Sequence, residues 1–451
     1  MRHVASSQRQ NGASMDHGLN VTVLAVVAGC FVLWGLVSSR LERWNISAPI
    51  AFVILGVAVS HGAVELVHFQ LRSSEIRSLA EVTLALVLFS DASRFNARKL
   101  RRDVGISVRL LGIGLPLTIG AGTAIAFGLF GGSGIWVAAT IAAIVAPTDA
   151  ALGASILEDQ RVPSGVRRAL NIESGLNDGI VTPFVNLFIA GAAVTEAIHG
   201  TPSVAASVVE LLGGAALGAG VGVAGAVLLI LTRRYHMSAP AFRPLAILGL
   251  AVLAYSTALL AGTNGFVAAF VAGMAFGTID RHSDEEALAY TQETGTALSL
   301  LVWFLFGAAM LVPGLENAGW RDVAFALLAL TVVRMVPVAL ALLGAGLNRS
   351  TVAFIGWFGP RGLASVVFGL IAFDTLDPAE SRVVLGAVTV TVAASVLLHG
   401  LSASPLARRY GEKSRSLHPQ LREHTDTPAL STRNLRPRLG STTQARMSRP
   451  E

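Results

Sequence analysis

Thirteen runs of about twenty apolar residues follow one another along this 451-residue chain, and they leave little choice of fold. Each can cross roughly 30 Å of hydrocarbon as a helix. Backbone N–H and C=O groups inside lipid must be paired within the structure, so only helical bundles and closed barrels can span it. A barrel needs short alternating segments, which are absent, and the expectation is an all-α polytopic membrane protein. Composition agrees: 53% hydrophobic residues, 14% charged and a mean hydropathy of +0.62 are too apolar for a soluble domain of this length.

The runs occupy residues 20–38, 46–62, 78–93, 104–130, 134–157, 168–194, 203–232, 243–261, 264–280, 295–313, 321–345, 351–373 and 383–403. Residues 1–19 form a polar N-terminal segment. The apolar run after it lacks a small-residue cleavage site and reads as a retained span, not a signal peptide. Residues 404–451, rich in Arg, Ser, Thr and Pro, read as a disordered tail. Cys30, the single cysteine, can form no internal disulfide and reads as a small buried hydrophobe.

The net charge of +6 does not point to nucleic acid, because the basic residues sort by loop. Loops after odd-numbered spans carry Arg40, Arg43, Arg94, Arg98, Lys99, Arg101, Arg102, Arg161, Arg167, Arg168, Arg233, Arg234, Arg243, Arg281 and Arg349. Loops after even-numbered spans carry only Arg72, Arg77, Arg321 and Arg382. By the positive-inside rule the first set is cytoplasmic, which puts the N-terminus outside and the Arg-rich tail inside a cell (plasma or inner) membrane.

Against this background, carboxylates at membrane depth stand out. Span six contains Glu173-Ser174-Gly175-Leu176-Asn177-Asp178, and span five contains Ala146-Pro147-Thr148-Asp149. Ionisable groups at that depth face a protein interior or a watery cavity and mark ion or proton pathways. At 100° per residue, Ser174 and Asp178 share one line of span six, and Glu173 and Asn177 share another. A hydroxyl and a carboxylate one turn apart suit a hard cation. Asn177 can brace a neighbouring backbone or carboxylate.

Pro147 lies in mid-span, where proline removes a donor and clashes with the preceding turn, so span five is expected to break there. Broken helices free carbonyls at membrane depth, as in many secondary transporters. Asp149 can bind a cation through water or orient other groups, and the sequence leaves both open. Arg334 in mid-span eleven needs a partner, and Glu173, facing away from the Ser174/Asp178 line, is the natural one. Arg361 lies in Gly356-Trp357-Phe358-Gly359-Pro360-Arg361-Gly362, which predicts a second interruption; its charge can offset Asp149 or a half-helix carboxyl end.

Other features carry less. His399 reads as an interfacial residue near the end of span thirteen, Glu210 as solvated, Arg109 as snorkelling, and Asp284, Glu285, Glu286 and Glu293 as a solvated loop face over 281–294. Gly214, Gly218 and Gly222 read as a close-packing face. The embedded Gly220-x-Gly222-x-x-Gly225 has no preceding strand and is not read as a dinucleotide site. Ser174 has no nearby histidine base and no His/Cys metal spacing exists, so no enzyme and no cofactor is expected.

The motifs Ala146-Pro147-Thr148-Asp149, Glu173-Ser174-x-x-Asn177-Asp178-Gly179, Gly356-Trp357-x-Gly359-Pro360-Arg361-Gly362 and Leu398-His399-Gly400 together resemble the bacterial cation:proton antiporters of the NhaP type. The resemblance covers about residues 20–410. It implies a dimerisation bundle and a core bundle in which spans five and twelve cross as interrupted helices, a homodimer, and elevator-like movement of the core. It implies that Asp178 binds cation or protons alternately, that Thr148, Asp149 and Ser174 complete or support the site, and that Glu173 pairs with Arg334. The sodium ion would then sit at Asp178, Ser174 and Thr148.

Many relatives carry Phe-Glu-Gly-Gly at the end of span three; here the stretch is Phe89-Ser90-Asp91-Ala92, leaving Asp91 as a substitute carboxylate or a funnel residue. The Asn177-Asp178 pair resembles the electroneutral branch, one sodium for one proton. The resulting expectation is sodium (or lithium) exchanged for protons by competition at Asp178. Potassium/proton exchange is the alternative within this fold. A cation channel, or a sensor signalling through the tail, is the alternative of another class.

Overall fold

The computed structural model describes residues 21–44, 46–61, 73–94, 105–196, 204–280 and 285–415. The expected outer segment 1–19 and the tail beyond 415 lie outside them. Among the described residues the chain is all helix, in thirteen passages. These are α1 (Val21–Arg43), α2 (Ala48–His61), α3 (Ser74–Ser93), α4 (105–130), α5, α6 (Ser164–Glu196), α7 (Val204–Arg234), α8 (Arg243–Leu260), α9 (Gly265–Ile279), α10 (285–316), α11 (320–341), α12 and α13 (Pro378–Arg415).

Two passages are cut. Helix α5 consists of α5a (Gly134–Val145) and a short α5b (Ala154–Leu157); α12 consists of α12a (Arg349–Trp357) and α12b (Leu363–Thr375). Each gap contains a proline, Pro147 or Pro360, which cannot donate to the helix and clashes with the preceding turn. Both interruptions read from the sequence are present.

The passages sort into two groups by contact. Helices α4, α5, α6, α11, α12 and α13 pack around the two cuts; α1, α2, α3, α7, α8, α9 and α10 form the second group, touching the first mainly through α3 against α6 and α12b and through α10 against α13 and α12b. Close approach holds the second group together. A Cβ added to Gly214, Gly218 or Gly222 of α7 would come within 2.5, 2.2 and 2.4 Å of carbonyl oxygens of α9. On the opposite face of α9, Gly273 and Gly277 lie as tightly against Phe89 and Ser93 of α3. The glycine row is therefore a packing seam within a helix, with backbones at contact distance. Cys30, on α1, is buried.

Several boundaries differ from the sequence reading, and the larger differences share one reason. Hydropathy marks the lipid-depth part of a helix, whereas polar turns beyond it can remain helical if they pack. Helix α10 begins at Glu285, so much of the expected loop 281–294 is helix, with Ala287 and Thr291 buried; residues 281–284 lie outside the described residues. Helix α13 starts at Pro378 and continues past 403 to Arg415. Its last turns pack because Tyr410 stacks on Phe354 of α12a and its hydroxyl shares a 2.9 Å hydrogen bond with Thr351. Residues 404–415, placed in the tail by composition, are thus a docked helix.

Candidate functional site

The two cuts face each other, and the residues within each complete the other helix. From the α5 gap, Asp149 accepts the Leu363 N–H at Oδ2 (3.1 Å), the first amide of α12b, and the Ala151 N–H at Oδ1 (2.6 Å). Its own N–H donates to Pro360 O at 2.8 Å. From the α12 gap, the buried Arg361 guanidinium donates to Ala146 O (2.8 Å) and Pro147 O (3.4 Å) beyond the end of α5a, and to Ala329 O of α11 (3.2 Å). Ser365 Oγ donates to Ile144 O at 2.7 Å. Helix ends leave amides and carbonyls without intrahelical partners, with partial positive charge at the N-terminus and negative at the C-terminus. A carboxylate at one end and a guanidinium at the other satisfy both.

Glycine permits the crossing. A Cβ on Gly362 would lie 2.0 Å from Asp149 Cβ, and one on Gly359 would lie 2.7 Å from Arg334 Nε and 2.9 Å from Thr148 Cγ2. Gly362 has an ordinary negative φ, so it is room rather than backbone freedom that requires glycine there.

Helix α6 runs past the crossing and contributes two lines of polar residues. Glu173 receives Arg334 of α11 in a two-pronged ion pair, 2.5 Å from Nη1 to Oε1 and 2.8 Å from Nη2 to Oε2, with both side chains buried. Thr148 Oγ1 lies 3.0 Å from Ser174 Oγ and accepts Asn177 Nδ2 at 2.8 Å. Asn177 Oδ1 is buried with no hydrogen-bond partner among the described residues, an acceptor left open beside Thr148. Asp178 lies half-buried one turn beyond Ser174, where Thr182 Oγ1 donates to its carbonyl (2.8 Å) just before Pro183 interrupts the ladder.

The structure therefore brings Thr148, Asp149, Glu173, Ser174, Asn177, Arg334 and Arg361 into one connected cluster, with Asp178 on its α6 edge. Asp91 lies half-buried in the last turn of α3, in the second group. Asn177, expected to brace a backbone group or a carboxylate, instead donates to the Thr148 hydroxyl.

His399 is a correction. It is buried, not interfacial, because α13 extends sixteen residues past it and Trp357 packs on its ring. Ser395 was missed altogether; its signal was a serine four residues before a histidine in an otherwise apolar run. Glu210 is exposed, and Arg109 reaches Leu343 O at 2.5 Å.

Comparison with known proteins agrees with this geometry. Residues 23–409 match the family model described as sodium/hydrogen exchanger, transmembrane. A Pseudomonas aeruginosa Na(+)/H(+) antiporter NhaP is 28% identical over 290 residues, 59% of this chain and 64% of that protein. A probable Na(+)/H(+) antiporter of Schizosaccharomyces pombe is 27% identical over 253 residues, 52% of this chain and 33% of its own length. The chain thus spans less than two thirds of either relative. Two structures of the sodium proton antiporter MjNhaP1 from Methanocaldococcus jannaschii share the fold at 19% identity: TM-score 0.65 over 86% of this chain and 99% of that one, and 0.68 over 87% and 98%. The match spans all thirteen passages and both cuts, and the chain belongs to the transmembrane sodium/hydrogen exchanger family.

Proposed function

We propose that this protein exchanges sodium ions for protons across the membrane, with Asp178 as the carboxylate for which the two compete. The observation that carries the reading is the oxygen cluster at the crossing: Thr148 Oγ1 and Ser174 Oγ at 3.0 Å, an open Asn177 Oδ1, and the Asp178 carboxylate one turn away. Neutral oxygens with a single carboxylate suit a hard monovalent cation. Asp149, Glu173, Arg334 and Arg361 are engaged with one another's helices or in a closed ion pair, which suits them to positioning; Asp178 is assigned the exchanged charge by its place one turn from Ser174 at the edge of the oxygen cluster.

The mechanism follows from electrostatics. A bare carboxylate crossing an apolar barrier is costly. Neutralised by either a proton or a sodium ion, it crosses, and exchange is obligatory because the empty carrier does not. The group around α5 and α12 is the part that moves, against the group seamed by α7, α9 and α3, whose backbone-to-backbone contacts suit it to stay rigid. Helix α1 packs on α2 and leaves Leu24, Val32, Leu33 and Leu36 outward, a surface for lipid and for a second copy in a homodimer. The N-terminus faces outside and the end of α13 the cytoplasm of a bacterial-type cell membrane, by the loop charges.

Proteoliposomes with an acid lumen test the cation and the stoichiometry. Sodium or lithium added outside should release lumenal protons, and clamping the voltage should not change the rate. Release with potassium alone would replace the substrate, and a sustained current would replace the one-for-one exchange.

A further inference from the structure

Helix α13 contributes no oxygen to the Thr148–Ser174 cluster, yet two of its residues hold both ends of the unwound segment of α12. Ser395 Oγ accepts the Arg361 N–H at 2.7 Å, and His399 Nδ1 lies 3.1 Å from the same Oγ. On the other side of the ring, Nε2 lies 2.9 Å from Trp357 O, the last carbonyl of α12a. Nδ1 is also 2.9 Å from Ser395 O, a carbonyl of its own helix. All of these side chains except the partly exposed Trp357 are buried.

The neutral imidazole with its proton on Nε2 satisfies the partners at the α12 gap, while its unprotonated Nδ1 makes no bond to Ser395 O. Nε2–H donates to Trp357 O, Ser395 Oγ–H donates to Nδ1, and Oγ accepts the Arg361 amide. The chain of bonds runs from residue 361 through α13 and back to residue 357, closing a loop around the gap. Helix ends in a membrane interior need such partners, since no water supplies them. Trp357 Nε1 adds a bond to Ser402 Oγ at 3.0 Å, fixing the same joint from outside the gap.

What is clamped reaches the cation site directly. Pro360 O, inside the clamped segment, accepts the Asp149 N–H; Arg361, whose amide is held, places its guanidinium on the carbonyls just before Thr148. Gly359 passes close enough to Thr148 that an added Cβ would lie 2.9 Å from its Cγ2. We propose that Ser395 and His399 are positioning residues of the exchanger, a clamp on the α12 gap that sets where Thr148 and Asp149 stand. This rests on the cation-site reading for its transport consequence, but the clamp itself is testable without transport.

The test uses the full-length protein with Ser395→Ala, His399→Phe and His399→Gln. Phe keeps the ring and removes both bonds, whereas Gln can restore the donor to Trp357 O. Hydrogen exchange over residues 357–363 should quicken by about three- to tenfold in Ser395→Ala and His399→Phe, the range one lost hydrogen bond supports. The apparent KM for sodium should rise by a similar factor with a smaller change in kcat, and His399→Gln should recover most of it. Unchanged exchange and unchanged KM in folded Ser395→Ala would overturn the clamp, and that variant decides the matter if His399→Phe fails to fold. Faster exchange in the variants, with no sodium-driven flux even in the wild type, would keep the clamp and overturn the exchanger reading.

Discussion

Asp149 and Arg361 each close the cut end of the helix to which the other belongs: the carboxylate takes the first amide of α12b, and the guanidinium takes the carbonyls that follow α5a. The two charges are not a direct ion pair in this arrangement; each is matched to a helix end. The crossing is therefore a single interlocked unit, and disturbing one gap disturbs the other.

Removing the cap should weaken α12b. Asp149→Ala is expected to cost about 1 kcal/mol from the lost capping bond, and more from the Ala151 N–H that loses the same carboxylate. Asp149→Asn keeps an acceptor and should fall between. Thermal unfolding midpoints in detergent measure the order wild type, Asn, Ala.

Space at the crossing makes a sharper contrast between two glycines. Gly362→Ala places a methyl 2.0 Å from Asp149 Cβ, whereas Gly153→Ala meets only carbonyl oxygens at 3.6 Å. The first should abolish transport or folded yield and the second should be tolerated, as scored by size-exclusion profiles and flux.

The Glu173–Arg334 pair should be costly to break and cheaper to replace. Glu173→Gln leaves a buried guanidinium uncompensated, a loss of about 3–5 kcal/mol. Exchanging both, Glu173→Gln with Arg334→Met, should recover part of that loss. A double-mutant cycle on unfolding midpoints reads the recovery; strict additivity would mean that the pair is not coupled.

Competition at one carboxylate fixes a sign for pH. A cation ligand must be deprotonated, so acidification opposes sodium binding. The apparent KM for sodium should rise as pH falls, approaching about tenfold per unit once Asp178 is mostly protonated, with the maximal rate at saturating sodium little changed. A KM independent of pH would contradict a shared site.

Much of this arrangement is legible in the residues, and the limits are physical. Apolar runs count the passages because lipid enforces length, and Pro147 and Pro360 mark the gaps because proline withholds a donor from the ladder, although Pro183 and Pro337 stay within continuing helices. Arg334 finds Glu173 because a lone guanidinium at that depth must be paired. What a helical wheel cannot supply is which neighbour a side chain meets: Asn177, expected to brace a backbone group or a carboxylate, donates to the Thr148 hydroxyl. The same limit hid His399 and Ser395, whose partners, Trp357 O and Arg361 N–H, are backbone atoms of a broken helix, brought near only by the fold. Helix ends that pack through polar turns, as at Glu285 and Tyr410, escape hydropathy for a similar reason.

The central claim is that Asp178 carries the exchanged charge. The direct measurement is proton release from acid-loaded proteoliposomes on addition of sodium, lithium or potassium, with wild type beside Asp178→Asn at matched folded protein. Sodium-driven release in the wild type, reduced to the level of protein-free liposomes in Asp178→Asn, is the predicted result. Release that persists in Asp178→Asn would contradict the account.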